Sequence, residues 1–246
     1  MNYKSFRRFT EKKLDAWVEV LLFDPVSTFL SYLVCLFTTS KKMPYLLTLL
    51  SFIMKSTAAF SFFFNQIIMG IFLVLLGDIF DGMDGKVSRC IYKRDPEKRG
   101  TLDFLLDHVA LALLIIGLGS VLLARNMTLV IGLLAYVAMY IILSSFISTK
   151  FRLYAKIHHN PDVHLLEREE HKRSFLLQTI QTIQKRMGRY RLVFHPSAVD
   201  AEFFIFVAFP LFNFNALFLY IGILFVAIDL VISGVGPVYL TLAKEK

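Results

Sequence analysis

Cysteine and acidic residues are scarce in this 246-residue chain. The two cysteines, Cys35 and Cys90, are too few for a disulfide framework, so we expect no disulfides. Asp and Glu number 19 against 27 Lys and Arg, which gives a net charge of +8. The amino terminus has basic residues but no small-residue cleavage site, so we expect no signal peptide. Internal repeats and low-complexity stretches are also missing.

Apolar residues, by contrast, are abundant. Hydrophobic residues make up 56% of the chain, aromatic residues 15%, and the mean hydropathy is +0.60. These values are too high for a soluble domain and predict an all-α integral membrane protein. Residues 44–246 would form a six-helix membrane domain with a polar cytosolic segment at about 150–196. The six predicted transmembrane helices cover approximately residues 44–64, 66–89, 101–123, 129–148, 199–212 and 216–240.

Residues 1–43 are predicted to form a cytosolic amino-terminal segment. Its apolar stretch, Val26 to Thr38, is followed by Lys41 and Lys42 and is short for a span. We therefore expect an interfacial helix there, lying on the bilayer surface. Lys55 interrupts the first predicted span, and we expect its long side chain to reach the far interface.

The distribution of basic residues predicts the topology. Nearly all Lys and Arg residues fall before Pro44, between Lys86 and Arg99, between Lys150 and Arg191, or at the tail, all on one predicted side. Under the positive-inside rule, both termini and the acidic region around residues 78–107 face the cytosol. This distribution explains the positive charge without a nucleic-acid partner. We favour the inner membrane of a bacterium over an organelle membrane.

Residues 78–107, hereafter the acid motif, contain six aspartates, and five of them lie beside lipid-length apolar stretches: Asp78, Asp81, Asp84, Asp103 and Asp107. Carboxylates are costly in a bilayer unless paired, hydrated or metal-bound, so the motif predicts a functional site. Three aspartates recur every third residue on one predicted helix, and two stand four apart on the next. The short connection predicts antiparallel packing, which would bring both groups together. Clustered carboxylates favour Mg²⁺ or Mn²⁺, and two ions would need about this many ligands.

The residues between these acids suit a phosphate ligand. Gly82 and Gly85 leave room for another group to approach the backbone. Arg89 adds a planar, permanently charged group beside the acids. Together these features predict binding of a pyrophosphate. Asp78 fits this site and an ordinary interfacial charge equally well.

The acid motif resembles the signature of the CDP-alcohol phosphatidyltransferases. That signature reads D-x2-D-G-x2-A-R, about eight further residues, and then G-x3-D-x3-D. In this chain Ser88 replaces the alanine, and Gly100 lies one residue closer to Asp103 than the pattern expects. The matching residues are Asp81, Asp84, Gly85, Ser88, Arg89, Gly100, Asp103 and Asp107.

The resemblance implies a role for each matching residue. Asp107 would be the catalytic base that takes the proton from the attacking hydroxyl. The metal ligands would be Asp81, Asp84, Asp103 and Asp107, holding two Mg²⁺ or Mn²⁺ ions. The residues binding CDP would be Gly82, Gly85, Ser88, Arg89 and Gly100.

The implied reaction is in-line attack of an alcohol on the lipid-side phosphorus of a CDP-activated donor, with release of CMP. We favour CDP-diacylglycerol as donor, although CDP-choline or CDP-ethanolamine with diacylglycerol also fits. The acceptor stays open among glycerol phosphate, inositol phosphate, serine, choline and ethanolamine. The expected partners are therefore the donor, the acceptor and membrane lipids, and many relatives form homodimers. Lys150, Arg152 and Lys156 could receive a phosphorylated acceptor or could simply anchor the helix at the interface.

Two other functions are compatible with intramembrane acids. Membrane prenyltransferases also hold a pyrophosphate through aspartates and Mg²⁺, but their acid motifs lie on helices farther apart. A cation transporter could use the same acids, but it would not need Gly82, Gly85 or Arg89. Metal binding that depends on CMP would distinguish the phosphatidyltransferase from both alternatives.

Overall fold

The computed structural model describes residues 2–92, 97–158 and 175–235, with the backbone alone at 97–98, 148–158, 175–181 and 234–235. Within these ranges the chain folds into helices and contains no β-strand, so the all-α prediction is confirmed. Three π-helical turns, Glu19–Phe23, Phe204–Ala208 and Leu230–Val235, adjoin the α-helices. The α-helices are α1 (Tyr3–Thr10), α2 (Asp24–Phe37), α3 (Met43–Phe63), α4 (Ile67–Tyr92), α5 (Glu97–Arg125), α6 (Met127–His158), α7 (Phe175–Gly188), α8 (Ala198–Phe203), α9 (Phe209–Leu211) and α10 (Ala216–Asp229).

Five helical segments of the described chain are long and apolar enough to cross a membrane. They include Glu19–Phe37, a 19-residue segment that the sequence predicted to be an interfacial helix. The structure therefore supports an integral membrane protein with five candidate spans. It does not confirm the predicted count of six spans after an interfacial helix. The other four segments, Met43–Phe63, Arg99–Arg125, Met127–Ile147 and Ala216–Ser233, correspond to predicted spans.

The two remaining predicted spans differ from ordinary transmembrane helices. Helix α4 has 26 residues, but the stretch from Asp78 to Arg89 carries three aspartates, Lys86 and Arg89. The predicted span at 199–212 is divided into α8, a π-helical turn at Phe204–Ala208 and the three-residue α9. Ser197 caps the start of this segment. Its side chain accepts a hydrogen bond from the Asp200 backbone N–H, and the Asp200 side chain accepts one from the Ser197 backbone N–H.

Helix α3 packs closely against α4 and α5, and this packing positions the acid motif. At Gly117 of α5, an added Cβ would lie 2.2 Å from the Ala59 carbonyl oxygen of α3, so only glycine permits this approach. The apolar core around them includes the buried side chains of Phe62, Leu118 and Tyr136. Packing of this kind fixes the rotation of α4 and α5 about their axes, and hence the direction of their aspartates.

The segment from Glu19 to Lys41 crosses α4 obliquely near the end that carries the acid motif. A Cβ at Gly82 would lie 2.8 Å from a Glu19 carboxylate oxygen, and the Tyr92 hydroxyl donates to the Lys41 carbonyl at 2.5 Å. Between these two contacts the segment extends over 22 residues, whereas the contacted positions on α4 are only ten residues apart. If the segment ran parallel to α4, the two separations would be about equal, because helices rise by the same distance per residue. The segment therefore crosses α4 at an angle, and both of its ends lie at the motif end of α4.

The amino-terminal segment is joined to the chain that enters α8. The Trp17 indole donates to the Val193 carbonyl at 2.8 Å, and the Val18 amide donates to Asp200 at 2.7 Å. A parallel bridge between Asp15 and Leu192 adds backbone hydrogen bonds. These contacts hold residues 15–18 over the motif end of the helices.

Candidate active site

Three aspartates of the acid motif converge from α4 and α5, which both pack against α3. One carboxylate oxygen from each of Asp81, Asp103 and Asp107 lies within 4.8 Å of the others. Asp81 comes from α4, while Asp103 and Asp107 stand one turn apart on α5. We call these three residues the carboxylate cluster. An all-oxygen donor set of high negative charge fits a hard divalent cation such as Mg²⁺ or Mn²⁺.

Asp84, predicted as a metal ligand, lies outside the carboxylate cluster and contacts a cation of the protein. The residue is 2% exposed, and its Oδ1 lies 3.1 Å from Nη1 of Arg99. The Thr48 hydroxyl of α3 donates to the other oxygen, Oδ2. Arg99, itself 3% exposed, also reaches to 4.0 Å from Asp103. The guanidinium group therefore bridges acids of α4 and α5.

Lys55 lies on the side of the carboxylate cluster opposite Arg99. The prediction that its side chain reaches the far interface is therefore wrong. Its Nζ lies 3.2 Å from Asp78 and 3.8 Å from Asp107, and the residue is buried. The prediction failed because Lys55 stands in the middle of α3, where two carboxylates lie within reach of its ammonium group. Asp78, which also fitted an interfacial charge, is instead an ion-pair partner within the site.

A cavity of about 220 Å³ opens next to Asp81 and Asp103. Its walls come from α4, from the first turns of α5 and from the amino-terminal segment. Basic and acidic side chains are mixed throughout, so the cavity suits a polar, charged ligand. The lining residues are Lys12, Asp15, Glu19, Asp24, Asp81, Gly82, Asp84, Gly85, Lys86, Arg89, Arg99, Asp103 and Val199.

The residues predicted to bind CDP divide into two groups. Gly82, Gly85 and Arg89 line the cavity, and an added Cβ at Gly85 would lie 3.5 Å from the Arg89 guanidinium. Arg89 is oriented by the amino-terminal segment, because its Nε donates to the Thr10 carbonyl at 2.6 Å. Ser88 is fully buried and Gly100 is exposed, and neither lines the cavity. The predicted acceptor-binding side chains of Lys150, Arg152 and Lys156 lie outside the described residues.

Lys86 connects the acid motif to the amino-terminal wall of the cavity. Its Nζ lies 2.7 Å from Asp24 and 3.7 Å from Glu19, and it donates to the Ser27 hydroxyl at 2.9 Å. Arg191 approaches Asp24 from the other side, at 2.6 Å. Because Lys86 is 3% exposed, it satisfies these acids away from bulk water.

We expect Lys86→Met to lower the free energy of unfolding by about 3 kcal/mol, since it removes the buried cation beside Glu19 and one of the two cations that contact Asp24. The change conserves side-chain volume, so the loss reports charge rather than packing. Trp17, the single tryptophan, lies in the same wall, and its fluorescence during unfolding in detergent micelles measures the effect. Lys42→Met, at an exposed lysine, is the control. Equal unfolding transitions for the two variants would show that the contacts of Lys86 with Asp24, Glu19 and Ser27 add nothing to stability.

Several of these residues were missed by sequence reasoning. Arg99 had a signal, because it stands four residues before Asp103, where the signature has glycine. Lys86, Glu19 and Asp24 had none, since their contacts join distant parts of the sequence. The amino-terminal wall is therefore a finding of the structure.

Apolar helices long enough to span a membrane, converging carboxylates and a charged cavity with glycines are features expected of a membrane protein that binds a cation and a charged ligand. The model of the CDP-alcohol phosphatidyltransferase family matches residues 41–235, well over half of the chain. The protein belongs to this family. No curated protein and no solved structure gives a significant match. The cavity residues Lys12, Asp15, Glu19 and Asp24 precede the matched range.

Proposed function

We propose that this enzyme transfers a phosphatidyl or phospho-alcohol group from a CDP-activated donor to an alcohol acceptor in phospholipid synthesis, with release of CMP. Membership of the family supports transfer from a CDP-alcohol in general. The observation that carries the proposal is the carboxylate cluster beside the glycine-lined cavity. We favour CDP-diacylglycerol as the donor.

The carboxylate cluster fits the divalent ion on which the family depends. Asp81, Asp103 and Asp107 would hold Mg²⁺ or Mn²⁺, which when bound offsets the negative charge of the donor pyrophosphate. Gly85 leaves room for the CDP group along α4, and Gly82 lines the same cavity although Glu19 and Ser27 pack closely against it. Lys86, Arg89 and Arg99 add positive charge to the same cavity, which would orient the phosphates.

Asp107 is the proposed base. The oxygen of the acceptor hydroxyl forms a bond to the lipid-side phosphorus, and the bond between that phosphorus and the bridging oxygen breaks. The bonding electrons leave with CMP, while the hydroxyl proton passes to the Asp107 carboxylate. Asp107 suits this role because it belongs to the carboxylate cluster and its side chain is 43% exposed.

We place the active site at the cytosolic face of a bacterial inner membrane, with six spans after an interfacial helix. The concentration of basic residues near the acid motif supports this orientation. The oblique path of residues 19–41 across one end of α4 supports a position along the membrane surface. Counting α4 and the segment 198–211 as spans gives the number six. Lys150, Arg152 and Lys156 stay candidates for the acceptor site, and a homodimer stays a prediction.

The test is acceptor-dependent CMP release by the purified protein with Mn²⁺. CDP-diacylglycerol is supplied with each of glycerol phosphate, inositol phosphate, serine, choline and ethanolamine. CDP-choline and CDP-ethanolamine are then supplied with diacylglycerol. We expect CMP and the matching lipid product with one pair, and neither product from Asp103→Ala. If no pair releases CMP from the wild type, the proposal fails.

A further inference from the structure

Arg99 introduces a permanent positive charge at a point where the signature of the family has glycine. The neighbouring Gly100 does not replace that glycine, because it is exposed and an added Cβ there would meet open space. Arginine in place of the signature glycine therefore changes the chemistry of the site, since the side chain of Arg99 lines the cavity.

The contacts of Arg99 are those of a resident cation. Its Nη1 lies 3.1 Å from Asp84 of α4, and its Nη2 lies 4.0 Å from Asp103 of α5. Thr48 donates to Asp84 and receives a 3.4 Å hydrogen bond from Arg99, which fixes the carboxylate and the guanidinium relative to each other. A second metal ion held by Asp84 would have to displace this buried group or bind next to its like charge.

We propose that Arg99 takes the place of a second divalent cation, so that the enzyme binds one ion, on the carboxylate cluster. This inference rests on the proposed function. The sequence predicted two ions because it counted four aspartates as ligands. The contacts of Asp84 with Arg99 and Thr48 reduce the cluster to Asp81, Asp103 and Asp107.

Arg99 suits the task of a fixed cation beside a diphosphate. A guanidinium group stays charged at any working pH and can donate to phosphate oxygens through two parallel hydrogen bonds. Its anchoring by Asp84 orients the charge before the donor arrives, as preorganised stabilisation of developing charge requires. Arg99 also lies on the cavity wall shared by Asp84 and Asp103, where the pyrophosphate of a CDP-linked donor would enter.

The experiment counts Mn²⁺ ions bound per chain to the full-length protein in detergent micelles, from the free-ion electron paramagnetic resonance signal. We expect one ion for the wild type and two for Arg99→Ala, since that variant releases Asp84. Two ions about 4 Å apart would also broaden the spectrum of the variant. Arg186→Ala, which removes a guanidinium from an exposed position, is the control and should bind one ion. Two ions in the wild type, or one in Arg99→Ala, would overturn the inference.

A second variant tests the same point if Arg99→Ala does not fold. Asp84→Asn should bind one ion with the affinity of the wild type, because Asp84 is the partner of Arg99. Loss of binding in Asp84→Asn would make Asp84 a ligand and contradict the inference. CMP release separates this result from the proposed function. A wild type that binds two ions and releases CMP overturns only the inference, while one that releases no CMP overturns the function.

Discussion

Asp107→Asn is expected to reduce kcat for CMP release by about 10²–10⁴-fold, the contribution typical of a positioned general base. The variant keeps a carbonyl oxygen near the carboxylate cluster but cannot accept the hydroxyl proton. Its fold should survive because Lys55 retains Asp78, its closer partner at 3.2 Å. The measurement is steady-state CMP release with the donor and acceptor pair that the wild type uses.

A binding measurement separates the base from a structural role for Asp107. Mn²⁺ binding by Asp107→Asn should persist with reduced affinity, and saturating Mn²⁺ should not restore kcat. Asp15→Asn provides a control, because it removes a carboxylate from the amino-terminal wall of the cavity, outside the carboxylate cluster. Near wild-type kcat in Asp107→Asn would show that another group takes the proton.

The sequence was sufficient to predict the helices that carry the site. Its apolar stretches predicted the first residues of α3 and α4 to within one position, because lipid-length apolar segments have few alternatives to helix. The four-residue spacing of Asp103 and Asp107 correctly predicted neighbouring carboxylates on one face of α5. Packing of both α4 and α5 against α3 brings Asp81 to them.

The spacing of the α4 aspartates could have predicted more than it did. A three-residue repeat falls behind the helical turn by about 60° per step, so Asp78 and Asp84 point about 120° apart. Asp81 lies between them and meets the acids of α5. The two outer aspartates meet cations instead, Lys55 for Asp78 and Arg99 for Asp84.

Long-range partners could not be predicted from the sequence. Lys86 meets Asp24 although 62 residues separate them, and Arg191 meets the same carboxylate from 167 residues away. No periodicity links such residues, because their contact depends on how α2 crosses α4. The amino-terminal wall of the cavity consequently appears only in the folded chain.

Asp81→Ala is expected to weaken Mn²⁺ binding by at least about 100-fold, more than the loss of an outer-sphere partner usually causes. Asp81 is the α4 member of the carboxylate cluster, so its loss leaves two ligands on α5 alone. The fold should tolerate the change, since Asp81 is only half-buried and alanine favours helix.

Isothermal titration with Mn²⁺ measures the affinity of Asp81→Ala against the wild type. Asp15→Asn again serves as the control, because it changes the charge of the cavity by the same amount without altering the carboxylate cluster. A general electrostatic attraction of cations would weaken both variants equally, whereas direct ligation weakens only Asp81→Ala. Equal affinities for Asp81→Ala and the wild type would remove Asp81 from the metal site and leave α5 to bind the ion alone.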